Sequence, residues 1–505
     1  MAHFNIFNTD DSESFFTPGR QIQRIAARKP DAAALIHISQ DDKETVMTWR
    51  ELVDTSDRMA RFLIDRGIGP GKSVIVALGN TPTHIALAFA IWKAGGCYVP
   101  VSNRSPQKNM LEICQCIEPS LVITARKKPE GFESLDVAEL KELSQSYPAE
   151  PLPDILAVPN MANCSGGTTG KTKVIQQDMP AGESDEGLQR WFAMSGMGFE
   201  MRQLLAGPLF HGAPHSAAFN GLYSGNTLIM PAKFDAALMV EIIKKYKVEF
   251  VQMVPTLMQR IIKLPDFDVK DLESLKALCH TGGICSKDLK YQWLEIMPPE
   301  KLFEIYSMTE CIGMTCIRGD EWLKHPGSVG KMLGGSIVIR DDEGKDLPAG
   351  EIGCIHMNWG SNSPKVEYKN IDPIACDELG YKSVGDMGYM DEDGYLYFAD
   401  RRSDMIVTGG ENVFAAEVEA VLKKHKAVVD AVVVGLPDKE WGHRIHAIVE
   451  TGSKVSDKDL IRFSLNYLPP YKIPKSFEFL DSIPRNESGK VVRSLLIEES
   501  LQKGY

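Results

Sequence analysis

No two of the chain's ten cysteines stand at C-x-x-C spacing, and none joins a histidine at a metal-ligand interval. That excludes zinc-ribbon and thioredoxin-type sites. Scattered at 97, 114, 116, 164, 279, 285, 311, 316, 354 and 376, the cysteines read as buried or free thiols of a reducing compartment. Long apolar runs are missing too. The longest, around "HIALAFAIW", is too short to span a bilayer and stops at Lys93. The N-terminus "MAHFNIFNTDDSESFF" is polar and acidic, unlike a secretory signal. Positive charge is in short supply: 56 Lys and Arg face 68 Asp and Glu, for a formal net charge of −12 with no block of like sign. The balance argues against a nucleic-acid partner. There is no internal repeat and no low-complexity tract. What remains is a cytoplasmic protein without a membrane partner. Its 505 residues suffice for about three domain-sized units. A 43% hydrophobic and 25% charged composition supports a sizeable core. The oligomeric state is left open.

Periodicity gives the coarse organisation. "TWRELVDTSDRMARFLIDRG" starts at a Thr48 cap, puts Leu52, Met59, Leu63 and Ile64 near one helical face, and closes at Gly67. "SVIVALG", "THIALAFAIWKAGG" and "CYVPV" read as strand, helix and strand. The same alternation returns at 204–260, where "VEFVQMV" is a strand and Pro255 opens the next helix. This pattern predicts mostly parallel sheets covered by helices. From about 334 the texture shifts to short strands and turns. Beyond 400, "EVEAVLKKH" is an amphipathic helix with Val418, Val421 and Leu422 on one face, followed by strands "AVVDAVVVG" and "HRIHAIVE". That tail reads as a separate small α+β domain after a polar hinge at "DRRSD" (400–404).

The stretch "SGGTTGKTK" (165–173) looks built for phosphate. A Walker A loop, G-x-x-x-x-G-K-[ST], would need glycine where Ser165 stands and would open directly into a helix. Here the β-leaning "VIQQ" follows, so the loop joins two strands. Backbone N–H groups of a Gly/Ser/Thr turn still form an anion nest, which hydroxyls and Lys173 can close over a polyphosphate. In "YSMTE" (306–310), Tyr306 can stack on a base, Thr309 can donate to a phosphate and Glu310 can hold a divalent cation.

These segments resemble the ordered motifs of the adenylate-forming superfamily of acyl-CoA synthetases, luciferases and peptide-synthetase adenylation domains. Residues 165–173 resemble T-[SG]-G-T-T-G-x-P-K, with Ser165 for Thr and Thr172 for Pro. The resemblance implies that Ser165, Gly166, Gly167, Thr168, Thr169, Gly170 and Lys173 hold the β- and γ-phosphates of ATP. "YSMTE" resembles Y-G-x-T-E, which puts Thr309 among the catalytic residues and Glu310 on Mg²⁺. "HTGGICS" (280–286) resembles the adenine-binding turn, so that Gly282, Gly283 and Ile284 line the base with Tyr306. In "SVGDMGYMDEDGYLYFADRRSDMIVTGGENV" (383–413), Asp386 would accept from the ribose hydroxyls, with Arg401 beside it. Ser403 falls at the hinge position, usually Asp or Lys, and Gly409 and Gly410 on the pantetheine tunnel for coenzyme A. "DEDG" within it is a hairpin-turn signal. "PRNESGKVVR" (484–493) resembles the catalytic-lysine motif, with Lys490 bridging the substrate carboxylate and the α-phosphate.

"GPLFHGAPHSAAFNGL" (207–222) sits where this superfamily places the acyl-pocket wall. His211, Gly212 and Ala213 are the wall candidates, and His211 also reads as a plain structural histidine. Pro214 argues against a helix here, and so against a His211–His215 metal pair. Small residues at 212, 213, 217, 218 and 221 suit a roomy pocket.

The implied fold is α/β. It has a large N-terminal domain (1–399) of two α/β subdomains plus a β-barrel-like part, a hinge (400–403) and a small mobile α+β domain (404–505). The implied reaction makes an acyl-adenylate from a carboxylic acid and Mg-ATP, then a thioester with coenzyme A. Four strings look like the bile-acid–CoA ligases of bacterial bile-acid 7-dehydroxylation: "MSGMGFEMRQLLAGPLFHGAPHSAAFNGL", "CHTGGICS", "YSMTECIGMTCIRGDEW" and "DRRSDMIVTGGENVFAAEVE". That likeness implies a steroid carboxylate such as cholate. The rival readings are a fatty-acid or aryl-acid CoA ligase, a carrier-loading adenylation enzyme (the chain ends soon after Lys490 with no carrier domain), a luciferase-like oxygenase, and a non-enzymatic nucleotide sensor.

Overall fold

Short apolar runs become central strands because only a sheet covered on both faces buries every side chain. The computed structural model describes residues 15–166, 172–360, 365–370, 372–409, 411–486 and 490–505. Ser73–Ala77, Cys97–Pro100, Leu121–Thr124, Ser134–Asp136 and Met161–Gly166 form the parallel part of a seven-stranded sheet. Thr172–Asp178 and Lys365–Tyr368 extend it antiparallel. A nine-stranded sheet has a parallel centre of Ala33–Ile38, Thr227–Pro231, Arg202–Leu205, Phe250–Met253, Ala277–His280 and Leu302–Ser307. The Pro82–Lys93 helix is buried on every side and packs in the core that serves both sheets, so its sequence is apolar all round.

The Trp49–Asp65 helix has the expected Thr48 cap, and Glu51 answers it in a reciprocal capping box. Leu52, Met59 and Leu63 are buried, but Ile64 is 38% exposed. At about 100° per residue it lies a third of a turn from the Leu52–Leu63 face. After these sheets comes a four-stranded antiparallel sheet of Ser336–Arg340, Gly353–Asn358, Asp386–Met390 and Leu396–Arg401. The last two strands are joined at "DEDG" by an Asp391–Tyr395 backbone turn.

Residues beyond the Arg402–Asp404 turn build a separate core. Its five-stranded sheet contains Met405–Thr408, Glu411–Phe414, Val428–Asp438, Gly442–Thr451 and Ser476–Leu480, covered by helices Ala415–Lys423, Asp457–Ser464 and Arg493–Gln502. Val418, Val421 and Leu422 are all buried, as the periodicity predicts. Among the described residues no helix is long and apolar enough to cross a membrane.

Candidate active site

Three neighbouring parallel strands, Phe250–Met253, Ala277–His280 and Leu302–Ser307, end on the same edge. Their following loops carry Pro255, Gly282–Ile284 and Thr309–Glu310. The carboxyl edge of a parallel sheet is where α/β folds bind ligands. Gly282 has φ +80°, which glycine adopts without strain, and a Cβ there would meet nothing nearer than Val254 Cγ1 at 3.5 Å. The loop's backbone therefore faces open space, and Ile284 is 52% exposed beside it.

The Tyr306 hydroxyl donates to Asp386 Oδ2 at 2.6 Å, and its ring leans on Phe398 at 5.7 Å. Asp386 is 3% exposed. Its Oδ1 accepts no hydrogen bond, and Arg401 Nε lies 3.4 Å away. Burial first, then Asp386, pushes the Tyr306 phenol well above its ordinary pKa, so it stays a donor. No local motif encodes this pairing across 80 residues.

The phosphate-loop strands pair as an antiparallel hairpin, Ser165 opposite Lys173 and Gly166 opposite Thr172. That is the strand–loop–strand context expected, and it excludes a Walker A geometry. Gly167, Thr168, Thr169 and Gly170 lie outside the described residues, as does the Ser165 side chain. Lys173 Nζ stands 3.9 Å from Glu310 Oε1. Gln177, two side-chain repeats along the same strand, was also missed. It donates to the Thr309 carbonyl (3.5 Å) and to Cys311 Sγ (3.1 Å), tying the Thr309–Glu310 turn to the hairpin.

Lys490 comes to this edge from the small domain. Its N–H donates to Asn486 Oδ1 (2.9 Å), and Asn486 N–H returns to the Lys490 carbonyl (2.8 Å). The residue as a whole is exposed, while neighbouring groups enclose its ammonium. That enclosure, then Arg401, holds the ammonium below the ordinary lysine pKa, and Glu310 and Asp386 pull it back up. His211 feels the same lysine. Burial first, then Lys490, lowers its imidazole to about 4, and its Nε2 is buried without a hydrogen bond.

Two expectations about this wall need correction. Pro214 does not prevent a helix: Gly212–Tyr223 is one, with His211 at the N-cap. Proline in the first turn gives up an N–H that has no intrahelical partner anyway. His211 and His215 thus stand one turn apart. His215 faces inward, stacked on Tyr98 (5.6 Å, 23°) against Trp92 and Phe219, and burial lowers it to about 3. The small residues also divide. Gly212 opens to free space, and Ala213 is half-buried beside it. Ala217 and Ala218 are core residues, and a Cβ on Gly221 would strike Gln203 Oε1 at 1.8 Å. Those three serve helix–sheet packing.

Ser403 Oγ donates to Asp404 Oδ1 (3.2 Å) within the turn between the two cores. Asp400, before it, accepts from the Arg401 and Ala416 N–H groups, and burial raises its carboxyl to about 6. Gly409 has φ +59°, and a Cβ there would lie 2.6 Å from the Trp441 ring. Gly410 lies outside the described residues.

This edge brings together an acidic turn, a strand–loop–strand hairpin, a buried carboxylate and a lysine from a second core. The AMP-binding enzyme pattern matches residues 22–360, and the AMP-binding enzyme C-terminal domain pattern matches 417–490. The chain belongs to the AMP-binding enzyme family. The 2-succinylbenzoate–CoA ligase of Bacillus subtilis (strain 168) is 30% identical over 493 residues, 95% of this chain and 97% of that one. A long-chain-fatty-acid–CoA ligase of Mycobacterium tuberculosis (strain ATCC 25618 / H37Rv) is 27% identical over 95% of this chain and 98% of that one. The solved o-succinylbenzoate CoA synthetase from Bacillus subtilis, in complex with the acyl-adenylate intermediate OSB-AMP, superposes with a TM-score of 0.80 at 28% identity, covering 96% and 98% of the two chains. The chain is an AMP-forming acyl–CoA ligase, and ATP, Mg²⁺ and coenzyme A fit it as co-substrates and metal. The bile-acid likeness does not recur among these relatives.

Proposed function

We propose that the chain joins a bile acid such as cholate to coenzyme A through an acyl-adenylate, with Lys490 as the catalytic cation. The observation that carries the mechanism is the gathering of Lys490, Arg401, Asp386 and Glu310 in one cleft from separate parts of the chain.

A substrate carboxylate oxygen attacks the α-phosphorus, and the bond to the β-phosphate bridging oxygen breaks to release pyrophosphate. Lys490 neutralises charge where the carboxylate meets the α-phosphate. Asp386, with its undonated oxygen, accepts from ribose hydroxyls. The loop at 282–284 takes the adenine, and the 165–173 loop with Lys173 takes the outer phosphates. Glu310 fits a magnesium ion. It is one largely buried carboxylate beside a lysine, and Mg²⁺ needs only one or two such ligands when phosphates supply the rest. When bound, the ion offsets phosphate charge. Positioning and charge neutralisation then supply most of the rate. The coenzyme A thiol next attacks the acyl carbonyl and AMP departs. For that step the small domain (404–505) turns about 400–403, withdraws Lys490 from the large domain (1–399), and presents Gly409 and Gly410 to the pantetheine.

The bile-acid assignment rests on the four strings quoted above and on the open face at His211, Gly212 and Ala213. A linear or aryl acid is the second reading, favoured by the substrates that name the two curated relatives. Carboxylate-dependent pyrophosphate release with cholate, medium- and long-chain fatty acids and 2-succinylbenzoate tests it. Cholate should give the highest kcat/KM, and Lys490→Ala should abolish release. A clear preference for a linear or aryl acid sinks the steroid assignment. Full adenylation by Lys490→Ala sinks the mechanism.

A further inference from the structure

We infer that Arg493 is a positioning residue that fastens Lys490 to the turn between the two cores, an inference that rests on the role proposed above for Lys490. Arg493 follows Lys490 by three residues and opens the Arg493–Gln502 helix. Its guanidinium has three partners: Nε to Asp404 Oδ2 (3.2 Å), and Nη1 to Glu419 Oε1 (2.7 Å) and the Val433 carbonyl (2.5 Å). Asp404 ends the Arg402–Asp404 turn. Glu419 sits on the Ala415–Lys423 helix and also accepts from Val433 N–H at 2.9 Å, so helix, strand and turn meet at one rigid fork.

The other flank of Lys490 is fixed the same way. Arg485 pairs with Asp430, which also takes Lys423 Nζ at 2.9 Å. Burial would raise the Asp430 carboxyl, yet Lys423 and Arg485 hold it at about 2. Lys490 therefore hangs between two arginine–carboxylate anchors. The Arg485–Asp430 pair lies within the small core. The Arg493 anchor reaches Asp404, one residue past Ser403, and so passes movement of the turn to the lysine. A long, flexible lysine gains a defined place only if its backbone is held, and a displacement near 1 Å costs up to about a hundredfold in rate.

Both half-reactions are measured with the acid the wild-type enzyme turns over fastest in the panel above, and with its synthetic adenylate plus coenzyme A. Arg493→Gln leaves one neutral amide donor and removes the charged fork. It should lower kcat for ATP–pyrophosphate exchange about tenfold or more while KM for ATP moves less than about twofold. Thioester formation from the supplied adenylate should stay within about threefold, and Arg493→Lys should recover part of the loss. Equal losses in both half-reactions with a lowered Tm overturn the inference. Full exchange by Lys490→Ala overturns the reading beneath it. Loss in Lys490→Ala without loss in Arg493→Gln overturns the positioning role alone.

Discussion

A buried carboxylate oxygen without a hydrogen bond costs up to roughly 1–3 kcal/mol, and Asp386 Oδ1 is such an atom, offset by the Arg401 guanidinium at 3.4 Å, while Oδ2 is held by Tyr306. In the reading proposed above, the pair is a ligand site kept in shape by one phenol. Tyr306→Phe removes the donor and leaves the carboxylate free to turn. It should raise KM for ATP about three- to tenfold in pyrophosphate-release assays, while KM for the acid stays unchanged. An unchanged KM for ATP would mean that Asp386 does not read the nucleotide. At this scale the motifs made the residue types legible. Asp386, Tyr306, Glu310 and Lys490 were all named from short strings. Their partners were not, because Gln177 to the Thr309 turn and Tyr306 to Asp386 are pairings between distant segments that no local pattern encodes.

At the scale of elements, short apolar runs and cap residues fix most of the course of the chain. The Thr48 cap, the Pro255 start and the "DEDG" hairpin all form where their local chemistry places them. The Gly212–Tyr223 helix is the exception. Pro214 argues against it in sequence, but a first-turn proline forfeits no intrahelical bond, and burial against Trp92, Tyr98 and Gln203 settles the matter. The helix consequently offers its first residues to the site and its later ones to the core. Gly212→Leu should therefore fill open space. It should raise KM for cholate about tenfold or more with KM for ATP and Tm unchanged, as an acid-saturation series would show. The corresponding change at Gly221 meets Gln203 and should instead lower Tm.

Across the whole molecule, the two cores touch through a small set of polar contacts. Lys263 Nζ donates to the carbonyls of Val428 (3.2 Å) and Val429 (2.9 Å), Gln259 Nε2 donates to Val429 (3.2 Å), and Lys424 pairs with Asp288 at 2.9 Å. Neutral or singly charged hydrogen bonds of this sort are worth about 1–2 kcal/mol each. Such a join favours the arrangement with Lys490 in the cleft, and the domain rotation proposed above would break it. Lys263→Met should slow pyrophosphate exchange about three- to tenfold and leave thioester formation from supplied adenylate intact. Separate assays of the two half-reactions check this. Losses of equal size in both would show that the contact has no preference between arrangements.

The sequence by itself determined most of the strands and helices, the Gly212–Tyr223 helix excepted, the strand–loop–strand context of 165–173 and the charged residues proposed for the site. Each of these follows from local periodicity, capping or a contiguous motif. Only the tertiary structure decided which small residues of the Gly212–Tyr223 helix stay open and which enter the core, that Asp386 leans on Tyr306, and that Lys490 lies between the Arg485 and Arg493 pairs. Those outcomes depend on burial and on side chains meeting across dozens to hundreds of residues. Hydrophobic packing sets such meetings without regard to distance along the chain.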